Sequence, residues 1–276
     1  FTGLAVAVAF HARLFNIGGE GQAAIAGVGV ALVCLAFDWP HWSMALLAAM
    51  VGGMLFGAGW AAIPAYLQAK RGSHIVITTI MFNLIAASLI NFLLVGPMQA
   101  PGMAPETSGF PAGASLPTLH DIFAVVGVVF DKNAPVNISL FIALIACVFV
   151  WLLIWKSRLG YEIRAFGHSE KAAVYAGISP LKVTMIAMLI SGALAGLLAI
   201  NTVMGEAERL VLDSVQGAGF VGIAVALMGR NHPLGVLLAA FLFGILYQGG
   251  SELAFEMPGI SREMIVVIQG LVIMFT

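Results

Sequence analysis

Charge is scarce in this chain. Only 9% of its 276 residues are Asp, Glu, Lys or Arg, and 61% are hydrophobic. A soluble domain carries about 25% charged residues, so a soluble enzyme and a disordered protein are both excluded. The net charge of −1 gives no basic bias toward nucleic acid. Cysteine is nearly absent. Cys34 and Cys147 each lie inside an apolar run and carry no redox argument. Catalytic motifs are missing as well. No Gly-x-x-x-x-Gly-Lys-Ser/Thr loop cradles a phosphate, and neither Gly-x-Ser-x-Gly nor His-Glu-x-x-His occurs. His11, His41, His74, His120, His168 and His232 are scattered without ligand spacing. The chain therefore reads as a non-enzyme that holds no metal or cofactor of its own. Any ATP and magnesium it depends on must be used by another subunit.

What is present is length of apolar run. Barrel strands alternate over about ten residues, whereas spanning helices need about twenty mostly apolar ones. Trp42–Leu67, Ile75–Gly96, Ile138–Trp155 and Val183–Met204 are long and unalternated. The expected fold is an all-α polytopic membrane protein in the lipid bilayer. Its apolar segments fall near 1–12, 22–37, 42–68, 74–96, 137–155, 183–204, 215–229, 234–250 and 263–276. Glycine-rich 215–229 is read as broken or tilted. The first residue is Phe and the last, Thr276, stops inside an apolar run, so both ends are expected to be trimmed.

Basic residues orient the chain. With Lys70 and Arg71 in the cytoplasm, alternation adds Lys156, Arg158, Arg164, Lys171, Lys182 and Arg230 to that side, eight of the 12 basic residues. Arg13 joins them. Most acids, Asp38, Glu206, Glu208 and Asp213 among them, fall on the other side. The whole chain, 1–276, reads as a single transmembrane domain. Within it, 1–96 is a first helical half, 97–136 a Pro- and Gly-rich external cap, 137–182 a helix with a polar cytoplasmic loop, and 183–276 a second half. A faint repeat joins Gly27–Leu32 and Leu47–Gly53 to Gly222–Leu227 and Leu238–Gly244. The two copies have opposite orientation, the pattern of an inverted-repeat transporter.

Polar residues inside the spans are the candidate site. Asn16-Ile-Gly-Gly-Glu-Gly-Gln22 interrupts two apolar stretches. It is either a broken helix lining a pathway, with Glu20 holding neighbouring backbone or a basic partner, or a short cytoplasmic turn with Glu20 solvated. A carboxylate at bilayer depth costs at least ~2.5 kcal/mol unless it faces protein or water. Asn83 and Asn91, eight residues apart in one helix, suit interhelical hydrogen bonding or pore lining. Gly53-Met-Leu-Phe-Gly57 and Gly192-Ala-Leu-Ala-Gly196 mark close helix crossings. In the cytoplasmic loop, Ser169-Glu-Lys-Ala-Ala-Val-Tyr-Ala reads as a short Ser-capped helix ended by Gly177. Its small Ala172, Ala173 and Ala176 offer a flat side to a partner protein.

Three ordered stretches resemble a known family: Phe15–Gln22; Arg164-Ala-Phe-Gly-His168 followed by Ala172–Ile178; and Gly219–Pro233. They look like the membrane permeases of ABC importers of the branched-chain amino acid, ribose and nucleoside type, nearest the sugar/nucleoside branch. The likeness spans nearly the whole chain. It implies a type II importer permease fold of about ten helices, nine of them visible here, in the bacterial inner membrane. It also implies cytoplasmic ABC ATPase subunits, a second, homologous or paralogous permease, and a periplasmic or lipid-anchored solute-binding protein. The family's coupling helix maps onto Arg164, Gly167, His168, Ala172, Ala173, Gly177 and Ile178. Asn16, Glu20, Gln22, Asn83 and Asn91 are the residues expected around the translocation path or in its support. A nucleoside or simple sugar is the expected cargo. The alternative is a self-sufficient secondary transporter with Glu20 as its ion or proton site.

Overall fold

A computed structural model describes residues 1–118, 120 and 136–256, with 264, 267–268, 270–271 and 274 beyond them. Most of the expected segment 263–276 and most of 119–135 lie outside the described residues. The described residues form ten α-helices and no named strand. Before the polar loop come α1 (Thr2–His11), α2 (Gly19–Ala36), α3 (Trp42–Arg71), α4 (Ile75–Val95) and α5 (Ser139–Trp151). The loop itself holds α6 (Arg158–His168) and α7 (Glu170–Tyr175), and α8 (Pro180–Gly196), α9 (Ala218–Met228) and α10 (Pro233–Glu256) follow. Six stretches are long and apolar enough to cross a membrane. The protein is a multi-pass membrane protein.

Small residues decide how the helices meet. Lipid is as apolar as leucine, so helices associate where backbones can approach closely. The two Gly-xxx-Gly pairs cross one another. A Cβ on Gly57 would strike the Gly192 carbonyl, and one on Gly196 would strike Gly53. This crossing fixes α3 against α8, and α2 lies along both. Short α1 (Thr-Gly-Leu-Ala-Val-Ala-Val-Ala) has its side chains sealed from Thr2 to Ala9. It is a central rod, surrounded by α8, α9 and α10. Helix α4, by contrast, leaves Ile77, Met81, Leu84 and Phe92 exposed. The two copies of the faint repeat lie on α2 with α3 and on α9 with α10, each pair in contact.

Three boundaries differ from expectation. Helix α2 starts at Gly19, so Glu20, Gly21 and Gln22 form its first turn rather than a separate bend. The polar loop between α5 and α8 folds as two helices, each capped by a serine hydroxyl: Ser157 for α6 and Ser169 for α7. After α7, Gly177 turns the chain at φ 80°, where a side chain would be strained. Finally, α5 and α8 run on as π-helices, over Leu152–Lys156 and Ile200–Glu206. The described part of the 97–136 loop packs back onto the chain. Its Glu106 pairs with Arg209 at 2.8 Å, the Thr107 N–H donates to the Leu210 carbonyl and the Phe110 N–H to that of Glu208. These bonds anchor the segment entering residues 211–215, one wall of the site.

Candidate functional site

The polar interruption after α1 divides into two clusters. In the first, Asn16 and Gln22 face each other as a reciprocal amide pair. Asn16 Nδ2 donates to Gln22 Oε1 at 3.0 Å, and Gln22 Nε2 returns a bond to Asn16 Oδ1 at 3.1 Å. The Gly18 N–H also donates to Asn16 Oδ1, at 2.9 Å. Asn16 Nδ2 reaches Ser191 Oγ at 2.9 Å, whose hydroxyl donates to the Ala5 carbonyl at 2.6 Å. Both amides are buried, at 0% and 1% exposure, so this network ties α1, α2 and α8 together away from any open space. Asn16 and Gln22 therefore support the site from behind rather than line it. The amides satisfy one another as buried polar groups must.

The second cluster faces a cavity. Glu20, in the first turn of α2, reaches the start of α9. Its two oxygens accept from the Gly217 N–H at 2.9 Å and the Gly219 N–H at 2.7 Å. A carboxylate at a helix N-terminus satisfies amides that have no partner within the helix, and the helix dipole favours it. Two glycines permit the approach. Gly217 takes φ 80°, and a Cβ on Gly219 would collide with the Glu20 backbone. On the other side Asn83 of α4 clasps the same turn of α2. Its Oδ1 accepts from the Gly21 N–H at 2.9 Å and its Nδ2 donates to the Ile17 carbonyl at 3.0 Å. A Cβ on Gly21 would meet Asn83 within 2.9 Å.

Between these clasps lies a cavity of about 330 Å³, lined by Glu20, Asn83, Asn91, Asp213 and Ser214 among apolar residues. That is within the range of small-molecule sites. Its charged lining is Glu20 and Asp213, with no basic residue. It therefore suits an uncharged or cationic solute with hydrogen-bonding groups and repels an anion. Asp213 and Ser214 escaped the sequence reading because they sit in a loop. The one signal available was their place just before the glycine-rich 215–229 run.

The seven residues expected at the coupling segment separate by exposure. His168, Ala172 and Gly177 are exposed and Arg164 is half-buried, but Gly167, Ala173 and Ile178 are buried. Gly167 lies directly on the His11 carbonyl, leaving no room for a side chain. Ala173, 3% exposed, packs inward. It does not form part of the flat outer side expected of it. The open face of α7 instead presents Tyr175, 94% exposed, and Val174, neither singled out from the sequence.

Residues 1–276 match the protein family described as branched-chain amino acid transport system / permease component. The chain is 38% identical over 280 residues to the guanosine ABC transporter permease of Bacillus subtilis, covering 99% of this chain and 76% of that one. It is 36% identical to the glucose ABC transporter permease of Haloferax volcanii, covering 99% and 71%. The nucleoside ABC transporter permease of Lactococcus lactis is also 36% identical, covering 99% and 74%. No solved structure matches the chain.

Proposed function

We propose a specific cargo and assembly for a chain that belongs to the branched-chain amino acid transport system / permease component family and is an ABC importer permease subunit. Its cargo is an uncharged, hydroxyl-bearing solute, a nucleoside foremost and a simple sugar next. The observation that carries this is the cavity between α2, α4 and residues 211–215, which offers two carboxylates, two amides and a hydroxyl but no cation. Nucleosides and sugars present donors to such acceptors without bringing a charge. The names of the guanosine, nucleoside and glucose permeases agree with this chemistry.

The subunit works in the bacterial inner membrane beside a second permease, homologous or paralogous, and a solute-binding protein delivers cargo from outside. ATP and magnesium act on cytoplasmic ABC ATPase subunits, and this chain holds no cofactor. The α6–α7 segment, on the basic-rich side, transmits their motion, with Tyr175 and Val174 as its contact. Glu20 is a clasp. Both its oxygens already accept backbone N–H bonds, and charge-assisted bonds of that kind are about twice as strong as neutral ones.

The test is the energy source of a Glu20→Gln variant in membrane vesicles. Glutamine keeps the shape and one acceptor oxygen, so we expect guanosine uptake to slow about tenfold. What remains should still require ATP and ignore an uncoupler. Wild-type uptake that persists without ATP and vanishes with an uncoupler would replace the importer with a secondary transporter carrying its ion on Glu20.

A further inference from the structure

A second cavity, about 270 Å³, lies on the far side of the 213–217 turn. Its walls are the π-helix Ile200–Glu206, the 214–218 segment and α10. Ser214 and Val215 line both cavities, so a single turn of chain separates them. That turn is held in left-handed backbone at Asp213, Gln216 and Gly217.

The geometry points to this second cavity as an outer subsite for the transported solute, occupied before the solute passes the 213–217 turn. This rests on the hydroxylated-solute reading above. Three observations carry it. The first is the π register. Bonding to the fifth residue sets Asn201 beside Glu206, and its Nδ2 donates to Glu206 Oε1 at 2.6 Å. An ordinary α-helix places neighbours three and four apart, so the wider turn is what brings this amide and carboxylate together at the cavity. Single π-turns recur at functional sites. The amide is fixed from behind, since its oxygen accepts from Asn137 at 3.0 Å and Ser139 at 2.8 Å.

The second observation is the lining chemistry. Glu206, Gln216, Thr202 and Ser214 supply polar groups, and Tyr247, 45% exposed, stands beside them with its hydroxyl donating to Gln216 Oε1 at 3.5 Å. A carboxylate and amides beside an aromatic face suit a ring that bears hydroxyl groups. A lipid tail would leave those groups unpaired. The carboxylate, with no basic residue in the lining, disfavours an anionic headgroup. The third is an orphaned group. Thr202 Oγ1 is buried without a hydrogen-bond partner, and such atoms in native proteins call for an explanation. A solute hydroxyl entering beside the π-turn supplies one.

Gly244 gives a direct probe, because a side chain there would meet open space. In a Cys34→Ala, Cys147→Ala background, Gly244→Cys is labelled with a water-soluble thiol reagent in the full chain in vesicles. Guanosine, and separately glucose, should slow labelling for at least one of the two, and adding Tyr247→Leu should abolish that protection. In the assembled importer Tyr247→Leu should raise KM about fivefold while kcat holds, as expected for the loss of one contact. The subsite is overturned if neither solute slows labelling, or if protection survives Tyr247→Leu. Labelling needs no ATP, so an importer reading that failed the vesicle test would leave this result standing on its own.

Discussion

Two clusters grow from one stretch of seven residues, and they behave as opposites. Asn16 and Gln22 close on each other and on Ser191, saturated and sealed. Glu20 and Asn83 bind backbone from neighbouring elements and leave one flank open to a cavity. The cause is helical phase. Glu20 and Gln22 are two residues apart in α2, hence about 200° apart around its axis, so one faces the α9 turn and the other the α1–α8 core. Polarity in a span thus has two uses. A sealed amide network fixes helices, whereas a clasp with an open flank can fix a helix and still meet solute.

The largest effect should come from breaking the sealed cluster. Asn16→Leu strands the Gly18 N–H, the Gln22 amide and its bond to Ser191, all buried. Each orphan costs about 1–3 kcal/mol, enough in sum to unfold a protein of ordinary stability. We expect the variant to be lost from membranes or to aggregate well below the wild-type temperature in detergent. Gln22→Leu on its own should be milder, since Asn16 keeps Ser191 and Gly18. The double variant should be less damaged than the sum of the singles, because removing both partners of a bond strands fewer groups than removing one. A strictly additive result would mean that the amide pair does not couple.

The same division into sealed and open residues applies on the basic-rich side, where the next largest effect is expected. Ala173→Glu drives a charge into a buried contact and should fail to fold. Tyr175→Ala removes a side chain that is 94% exposed and should leave the fold intact. If α7 enters an ATPase, an aromatic anchor of this kind is worth about 2 kcal/mol or more of contact. Solute-stimulated ATP hydrolysis should then fall about tenfold or more, with the permease's thermal stability unchanged. Hydrolysis at the wild-type rate would move the contact elsewhere.

Much of the fold was legible in the sequence, for a physical reason. Apolar run length and the basic bias act residue by residue, and a chain can be read in those terms without knowing its contacts. Hence the spans, the Ser169 cap, the Gly177 stop and the two Gly-xxx-Gly crossings are found where expected. The site was half legible. Glu20 and Asn83 were picked out, but their partners are backbone amides at 217–219 and 21, which any residue carries and no composition signals. Asp213 and Ser214 depend on a turn pinned by the 97–136 loop through Arg209 and Leu210. The π-helices follow no pattern that the sequence reading used. Reading Asn16 and Gln22 with Glu20 ignored the helical phase that separates them. Ala173 was taken for an outer residue because smallness suits both a docking face and a tight interior contact.

The smallest effect, and the sharpest use of the comparison, concerns the two asparagines of α4. Both line the cavity, but Asn83 clasps α2 through two backbone bonds and is half-buried, whereas Asn91 is exposed. If the open cluster serves solute and the clasped groups serve structure, the two should separate in a kinetic assay. Asn83→Ala frees the Gly21 N–H and the Ile17 carbonyl, so it should lower both stability and kcat. Asn91→Ala removes only a group turned to the cavity. Its loss should leave thermal stability and ATP hydrolysis unchanged and raise the KM for guanosine about threefold to tenfold, the worth of one hydrogen bond of about 0.5–1.5 kcal/mol. A change in kcat at constant KM would place Asn91 with the clasps. A stability loss equal to that of Asn83→Ala would mean that the exposed face of α4 is an interface, and solute would then pass closer to Glu20 and Asp213.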